Sequence, residues 1–465
     1  MNPPQVPPDV RVPFVQRNAL ALKIGGIALL VLLLQIPLGM VDSLLRERRQ
    51  RRDTAVAEIT QLWGKPQTLV GPVLAVPYTY HTETEETSYV GGQKIVEKKR
   101  RAWRANAFFL PEQLTVVGKL DPESRYRGIY AATVYTGHIK VTGNFRRPDF
   151  AALGIAPAEV RWSEAWVSLG LSDLRGTREA LTMQWAGVPR TLLPGLNCEI
   201  GKTGLHAPLP DLTAAAETLP FALEVTLNGS ESLSLIPVGR QTTARISAAW
   251  PDPSFTGAFL PTLREVRADG FNAQWQVSYY GRDFPQQWTD RTGETKPEAK
   301  VFAAASFGVN LVAATDAYRT TERALKHGVL FLALIFTAFF LFEMGAALRL
   351  HGLHYGLVGA ALCLFYLGLL ALAEFTGFGA AYGLAAAAST LLIVLYSLAI
   401  LHSGGRTLIV AVALIGVYGY LYFVLQMQDY ALLAGTGVLF VALAAVMWVT
   451  RRLAATGKEE KSAVA

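Results

Sequence analysis

Two textures alternate along the chain. Residues 19–41 and 328–450 are almost continuously apolar, whereas the stretch between them carries an ordinary polar mixture. A helix that crosses the ~30 Å hydrocarbon core of a bilayer needs about 20 apolar residues. The run from 19 to 41, with IGGIALLVLLLQIPLGM inside it, has that length. Five further spans are predicted at 328–348, 354–373, 377–400, 406–426 and 430–450. Their connections are short, so they form a tight antiparallel bundle. The runs are Leu, Ala, Phe and Gly without alternation, which suits helices rather than barrel strands. In lipid a helix satisfies its own backbone N–H and C=O groups.

The polar stretch opens at helical spacing. Val41, Leu44, Leu45, Val56, Ile59, Leu62 and Trp63 recur at helical intervals, so 42–66 reads as an amphipathic stalk that Gly64 and Pro66 end. From Gln67 the pattern shifts to short runs rich in Val, Thr, Tyr and Phe, broken by Gly and Pro. A hairpin turning at Gly91-Gly92 would set Glu83 opposite Arg100 and Glu85 opposite Lys98. Such opposed charges stabilise by a few tenths of a kcal/mol each. Further strands are predicted near 113–120, 128–143, 159–169, 220–228, 233–237, 241–249, 262–268 and 271–280. The expected fold is an α-helical membrane bundle, one N-terminal plus five C-terminal transmembrane helices, with a large inserted all-β domain that is antiparallel and sandwich-like. The expected layout is a tail at 1–18, a span at 19–41, the stalk at 42–66 and the β domain at 67–315. The five-helix bundle then occupies 316–450 and a second tail 451–465.

Charge sets the orientation. Basic residues mark Arg349, Arg406 and a tail with Arg451, Arg452, Lys458 and Lys461, whereas the alternate loops carry Glu374 and Asp429. Basic loops face the cytoplasm, so both termini are expected inside and the β domain in the periplasm. The first span is read as an uncleaved anchor rather than a signal peptide, because no small-x-small cleavage site follows it. One feature opposes this orientation. Arg46, Arg48, Arg49, Arg51 and Arg52 would lie outside, facing only Arg11, Arg17 and Lys23 inside. The cluster is expected to contact lipid phosphate. The net charge of +7 is concentrated at span ends, which points to the bilayer as partner and not to nucleic acid.

Few residues carry recognisable chemistry. Cys198 and Cys363 fall in different materials, so no disulfide is expected, and neither sits in a metal-binding pattern. The segment from Gly195 to Thr203 imitates a phosphate-binding loop, but five residues rather than four separate Gly195 from Gly201. His81, His138 and His206 are scattered, and no nucleophile motif is present, so no catalysis, cofactor or metal is expected. Ionisable groups near lipid are often functional, which singles out Glu343 and Glu374 as bundle candidates. Both lie near span ends, where headgroups and water would solvate them. Gly352-x-x-x-Gly356 and Gly379-x-x-x-Gly383 permit close helix approach. Tyr418, Tyr420, Tyr422 and Trp448 suit either an interfacial girdle or a lumen lining.

Long ordered segments resemble the CreD family, bacterial inner-membrane proteins named for cell envelope integrity. The resemblance is carried by RRDTAVAEITQLWGKPQTLVGPVLAVPY at 51–78, SDLRG at 172–176, WPDPSFTGAFLP at 250–261 and GFNAQWQVSYYGRDFPQQW at 270–288. It continues through DAYRTTERALKHGVLFLALIFTAFFLFE at 316–343 and HYGLVGAALCLFYLGLLALAE at 354–374. The resemblance implies an inner-membrane location and a role in envelope maintenance, without supplying a reaction. The expected function is therefore non-enzymatic, with the outer domain binding an envelope protein or a cell-wall component. A transporter or flippase-like accessory that uses the bundle is the alternative.

Overall fold

The computed structural model describes residues 19–448 except 91–92, 178, 211, 213–216, 312–316, 346–350, 428–432 and 434. The Gly91-Gly92 turn, Arg349, Asp429, Arg11, Arg17 and the basic tail from Arg451 to Lys461 lie outside the described residues. Two compact units emerge, one formed by Met1–Arg51 with Thr315–Ala465, the other by Arg52–Ala314.

Helix α1 (Ala19–Trp63) is continuous across the expected span and stalk, with Pro37 inside it. Its 45 residues extend roughly 68 Å at 1.5 Å each. It stops where Gly64 adopts φ +155°, a conformation that L side chains rarely adopt, and a Cβ there would lie 2.6 Å from the Asn228 carbonyl oxygen. The next helix, α2 (Ala299–Ala304), is short and belongs to the second unit.

The helical unit joins α1, up to Arg51, to the C-terminal helices. They are α3 (Ala317–Lys326), α4 (Gly328–Gly345), α5 (Gly352–Thr376), α6 (Phe378–Leu401), α7 (Gly404–Gln426) and α8 (Gly435–Trp448). Among the described residues four helices are long and apolar enough to cross a membrane, and α3 with α4, bent by 50°, makes a fifth if counted as one span. The sequence predicts six. The described part of the last one, α8, is shorter than a span, and its expected flanks fall outside the described residues. Leu34, Leu38 and Val41 of α1 join Phe331, Phe336, Tyr355, Leu362, Phe365 and Tyr418 in one apolar core.

Among the described residues the other unit is dominated by two sheets, of nine and eight strands. Strand 67–90 lies within the first sheet and is buried on both faces from Leu69 to Tyr78, which explains its near-continuous apolar run. It pairs antiparallel with 93–109, with Glu83 facing Arg100 and Glu85 facing Lys98, as the charge pattern anticipates. The second sheet is built around 113–127, 130–146, 218–230 and 241–248. Both sheets contribute to one core, where Leu74 and Val76 of the first join Val141, Phe145 and Trp275 of the second.

The sheets depart from the antiparallel expectation. Residues 67–70 run parallel to 233–236, and 113–120 parallel to 241–248. Strand 159–169 is also shortened to Trp166–Leu171, because Pro157–Glu159 and Trp162–Glu164 form 3₁₀ turns before it. A hairpin at 182–185 and 188–191 escapes the sequence reading. Its turn is Ala186-Gly187, both at positive φ, rather than the Asn-Gly or Asp-Gly pairs that usually announce such turns.

Candidate functional site

Glu343 sits near the C-terminal end of α4, where the sequence places it in contact with water and headgroups. It is instead 5% exposed. Lys23 Nζ, from the first turns of α1, donates to its Oε1, and the Tyr355 hydroxyl of α5 donates to Oε2 at 2.9 Å. The ammonium also lies 6.0 Å from the centre of the Tyr355 ring. Three helices thus converge on one carboxylate whose charge and both oxygens are matched.

Glu374 repeats this arrangement at the other end of α5. Arg48 Nη1 of α1 lies 3.7 Å from Oε2, and the Tyr318 hydroxyl of α3 donates to Oε1 at 3.0 Å. Lys23 and Arg48 are twenty-five residues apart on α1, roughly 37 Å along its axis. Tyr355 and Glu374 are nineteen apart on α5, roughly 28 Å. These spacings bracket the ~30 Å hydrocarbon core. The two carboxylates therefore close the apolar section of α1 against the bundle at both of its ends.

The arginine cluster is likewise matched inside the protein. Arg46 pairs with Asp42 at 2.7 Å, Arg49 with Glu322 at 3.0 Å, Arg51 with Glu47 at 2.6 Å and Arg52 with Asp53 at 2.9 Å. Arg48 and Arg49 reach other helices of the bundle, and the rest pair within α1. Asp42, Glu47 and Asp53 lie within four residues of their arginines, whereas Glu322 and Glu374 are too distant along the chain for spacing to assign them. The sequence reading turns to lipid phosphate for the whole cluster.

Close helix approach centres on a glycine outside the two sequence pairs. A Cβ on Gly359 would meet Leu34 Cδ1 at 2.2 Å, whereas Gly352 and Gly383 have nothing within 4 Å. Tyr418 is buried between helices. Its hydroxyl shares a 2.9 Å hydrogen bond with Ser389, and its carbonyl accepts from Tyr382 at 2.7 Å, which ties α6 to α7.

In the β unit, the SDLRG segment works as a structural knot. Asp173 accepts from the Arg175 amide at 3.1 Å and from its guanidinium at 2.9 Å, while the Lys65 amide donates to it at 3.2 Å. The Arg175 guanidinium holds the Asp173 carboxyl below the usual carboxylate range. Buried Gln67 bonds the Asp173 and Asn228 carbonyl oxygens, each at 3.0 Å. The imitation phosphate loop at 195–203 leads into strand 204–208 rather than a helix.

The same unit carries a cleft of about 810 Å³ between the ends of strands 93–109 and 130–146 and the turns that follow. Phe109, Phe150 and Trp162 form one wall, each successive pair at 5.2 Å and edge-to-face. Arg146, Arg147 and Arg240 lie along it with Glu112 and Asp149. No sequence motif announces this cleft, since its residues come from segments far apart in the chain.

The family model described as inner membrane protein CreD matches residues 19–455. The chain is also 35% identical over 427 residues to the inner membrane protein CreD of Escherichia coli (strain K12), a match covering 91% of each chain. Together with several apolar helices of membrane-crossing length, these matches make it a multi-pass inner-membrane protein. By the extent of both matches, the chain belongs to the CreD family of inner membrane proteins.

Proposed function

We propose that this protein is a non-enzymatic envelope-integrity factor. Its β unit lies in the periplasm and binds an envelope protein or cell-wall component, and its helices serve as the anchor, with both termini in the cytoplasm. The observation that carries the reading is the pairing of Glu343 and Glu374. A proton or ion carrier needs a carboxylate that gains and loses charge within the membrane. Here each carboxylate is already engaged by a cation and a tyrosine hydroxyl that join helices, a structural assignment. Lipid surrounds the anchor, and the exposed arginine stems of Arg46 and Arg51 add headgroup contact at its edge.

The test is complementation of a deletion strain at matched protein levels. Glu343→Gln and Glu374→Gln should each restore envelope integrity, and deletion of residues 67–310 should abolish rescue while the helices still insert. A cysteine at Ser88 should react with an impermeant thiol reagent added from the periplasmic side. Rescue by the helices alone, loss of rescue by a normally accumulating glutamine variant, or a protected Ser88 position would each overturn the proposal.

A further inference from the structure

We infer that the arginine-lined cleft of the β unit binds an acidic sugar, a saccharide ring that carries a carboxylate or phosphate. The inference rests on the proposed role of the β unit as the ligand-binding part of the protein. It starts from an imbalance of charge. Arg146 and Arg147 are exposed at the end of strand 130–146, and among the described residues no carboxylate lies within ion-pair distance of either. Arg240 is held in place, with its guanidinium 4.9 Å from the Tyr279 ring centre and 3.8 Å from Glu112. The other acid, Asp149, accepts from the Ala152 amide at 3.1 Å, at the start of the turn at 151–153.

A fourth arginine deepens the imbalance. Arg282 is 7% exposed and donates to the Phe284 carbonyl at 3.1 Å, the Val238 carbonyl at 3.3 Å and the Gln286 side-chain oxygen. None of these partners is charged, and its Nε is buried without an acceptor. Burial lowers its pKa to about 10, so it remains a cation at neutral pH. Gln286, which lines the cleft, links this guanidinium to the wall through bonds to the Leu110 and Pro111 carbonyls at 3.1 and 2.7 Å. A buried cation without a counter-charge is costly, and an oxyanion in the cleft would offset that cost.

The walls specify more than an anion. Guanidinium groups bind carboxylate and phosphate through paired, charge-assisted hydrogen bonds. A bare anion would leave the half-buried Trp162 face, backed by the buried Phe109 and Phe150, uncovered, while an uncharged apolar ligand would desolvate arginines without pairing them. A sugar ring offers an apolar C–H face and polar edges, and its acidic group meets the arginines. The volume of about 810 Å³ falls within the ~300–1,000 Å³ of ligand pockets.

The experiment titrates the full chain, in nanodiscs of uncharged lipid, with four probes. They are N-acetylmuramic acid, glucose 1-phosphate, N-acetylglucosamine and inorganic phosphate. At least one acidic sugar should bind saturably, and the neutral sugar and the bare anion should bind at least about tenfold more weakly. Which acidic sugar binds distinguishes a carboxylate from a phosphate ligand. The exposed double variant R146Q/R147Q should lose about tenfold or more in affinity with an unchanged melting profile. Equal binding of the neutral sugar, unaltered binding by the variant, or no saturable binding of either acidic sugar to about 10 mM overturns the inference. The complementation strain separates the two failures. If deletion of the β unit abolishes rescue but R146Q/R147Q rescues fully, the cleft inference falls alone. If the deletion itself rescues, the functional reading falls.

Discussion

Replacing Glu343 by glutamine tests whether the charge pair at one end of α1 stabilises the bundle. Glutamine keeps the size and still accepts from the Tyr355 hydroxyl, but it removes the charge pair with Lys23. In soluble proteins, removing one partner of a buried pair costs about 3–5 kcal/mol. Within membranes, single polar contacts average only about 0.6 and reach about 1.7 kcal/mol. The Lys23 side chain is 29% exposed, so its ammonium can extend toward the interface and recover part of its hydration. The expected loss for Glu343→Gln is therefore about 1.5–2 kcal/mol. Lys23→Met should cost more, about 3 kcal/mol, because the carboxylate that loses its cation lies deeper than the ammonium does. The double variant should be less destabilised than the sum of the two, with a coupling of about 1.5 kcal/mol. Cys363, buried within the bundle, supplies the assay once Cys198 is replaced by serine. Its labelling by a thiol reagent during a titration with SDS in mixed micelles reports opening of the bundle. Additive effects within about 0.5 kcal/mol would refute the pairing argument, as would Lys23→Met costing less than Glu343→Gln.

Two further outcomes are expected. Asp173→Asn should destabilise the β unit by about 2 kcal/mol, as expected for lost hydrogen bonds to a charged group, measured by its thermal unfolding. The folded-state carboxyl is held low, so its contribution is complete above the unfolded pKa and disappears as pH falls through the folded one. The difference between wild type and Asp173→Asn should accordingly vanish in acid, and a pH-independent difference would refute the assignment. Gly359→Leu should weaken the bundle by about 2 kcal/mol or more through overpacking, with Gly359→Ala nearer 1 kcal/mol because the Leu34 tip can yield. The Cys363 assay reads both, and identical behaviour of the two variants would refute close approach at Gly359.

Features that depend on neighbours along the chain are legible in the residues alone. Apolar runs of membrane length, the end of α1 at Gly64 and the facing charges of hairpin 67–90 and 93–109 all follow from local period and turn chemistry. The family resemblance was legible for the same reason, since it is carried by continuous segments. Candidate residues Glu343 and Glu374 were also visible, as carboxylates in apolar surroundings. Their setting was not. Lys23 is 320 residues from Glu343 in sequence, and nothing local distinguishes it from any other basic residue at a span end. The parallel pairing of 67–70 with 233–236 was hidden too, because alternation reports which face is buried but not which strand lies alongside. The cleft was least legible of all, since it brings together residues from 109 to 287 that share no motif. These features become visible in the folded chain, because a counter-charge, a strand partner or a cavity wall is fixed by proximity in space, and the sequence records proximity only along the chain.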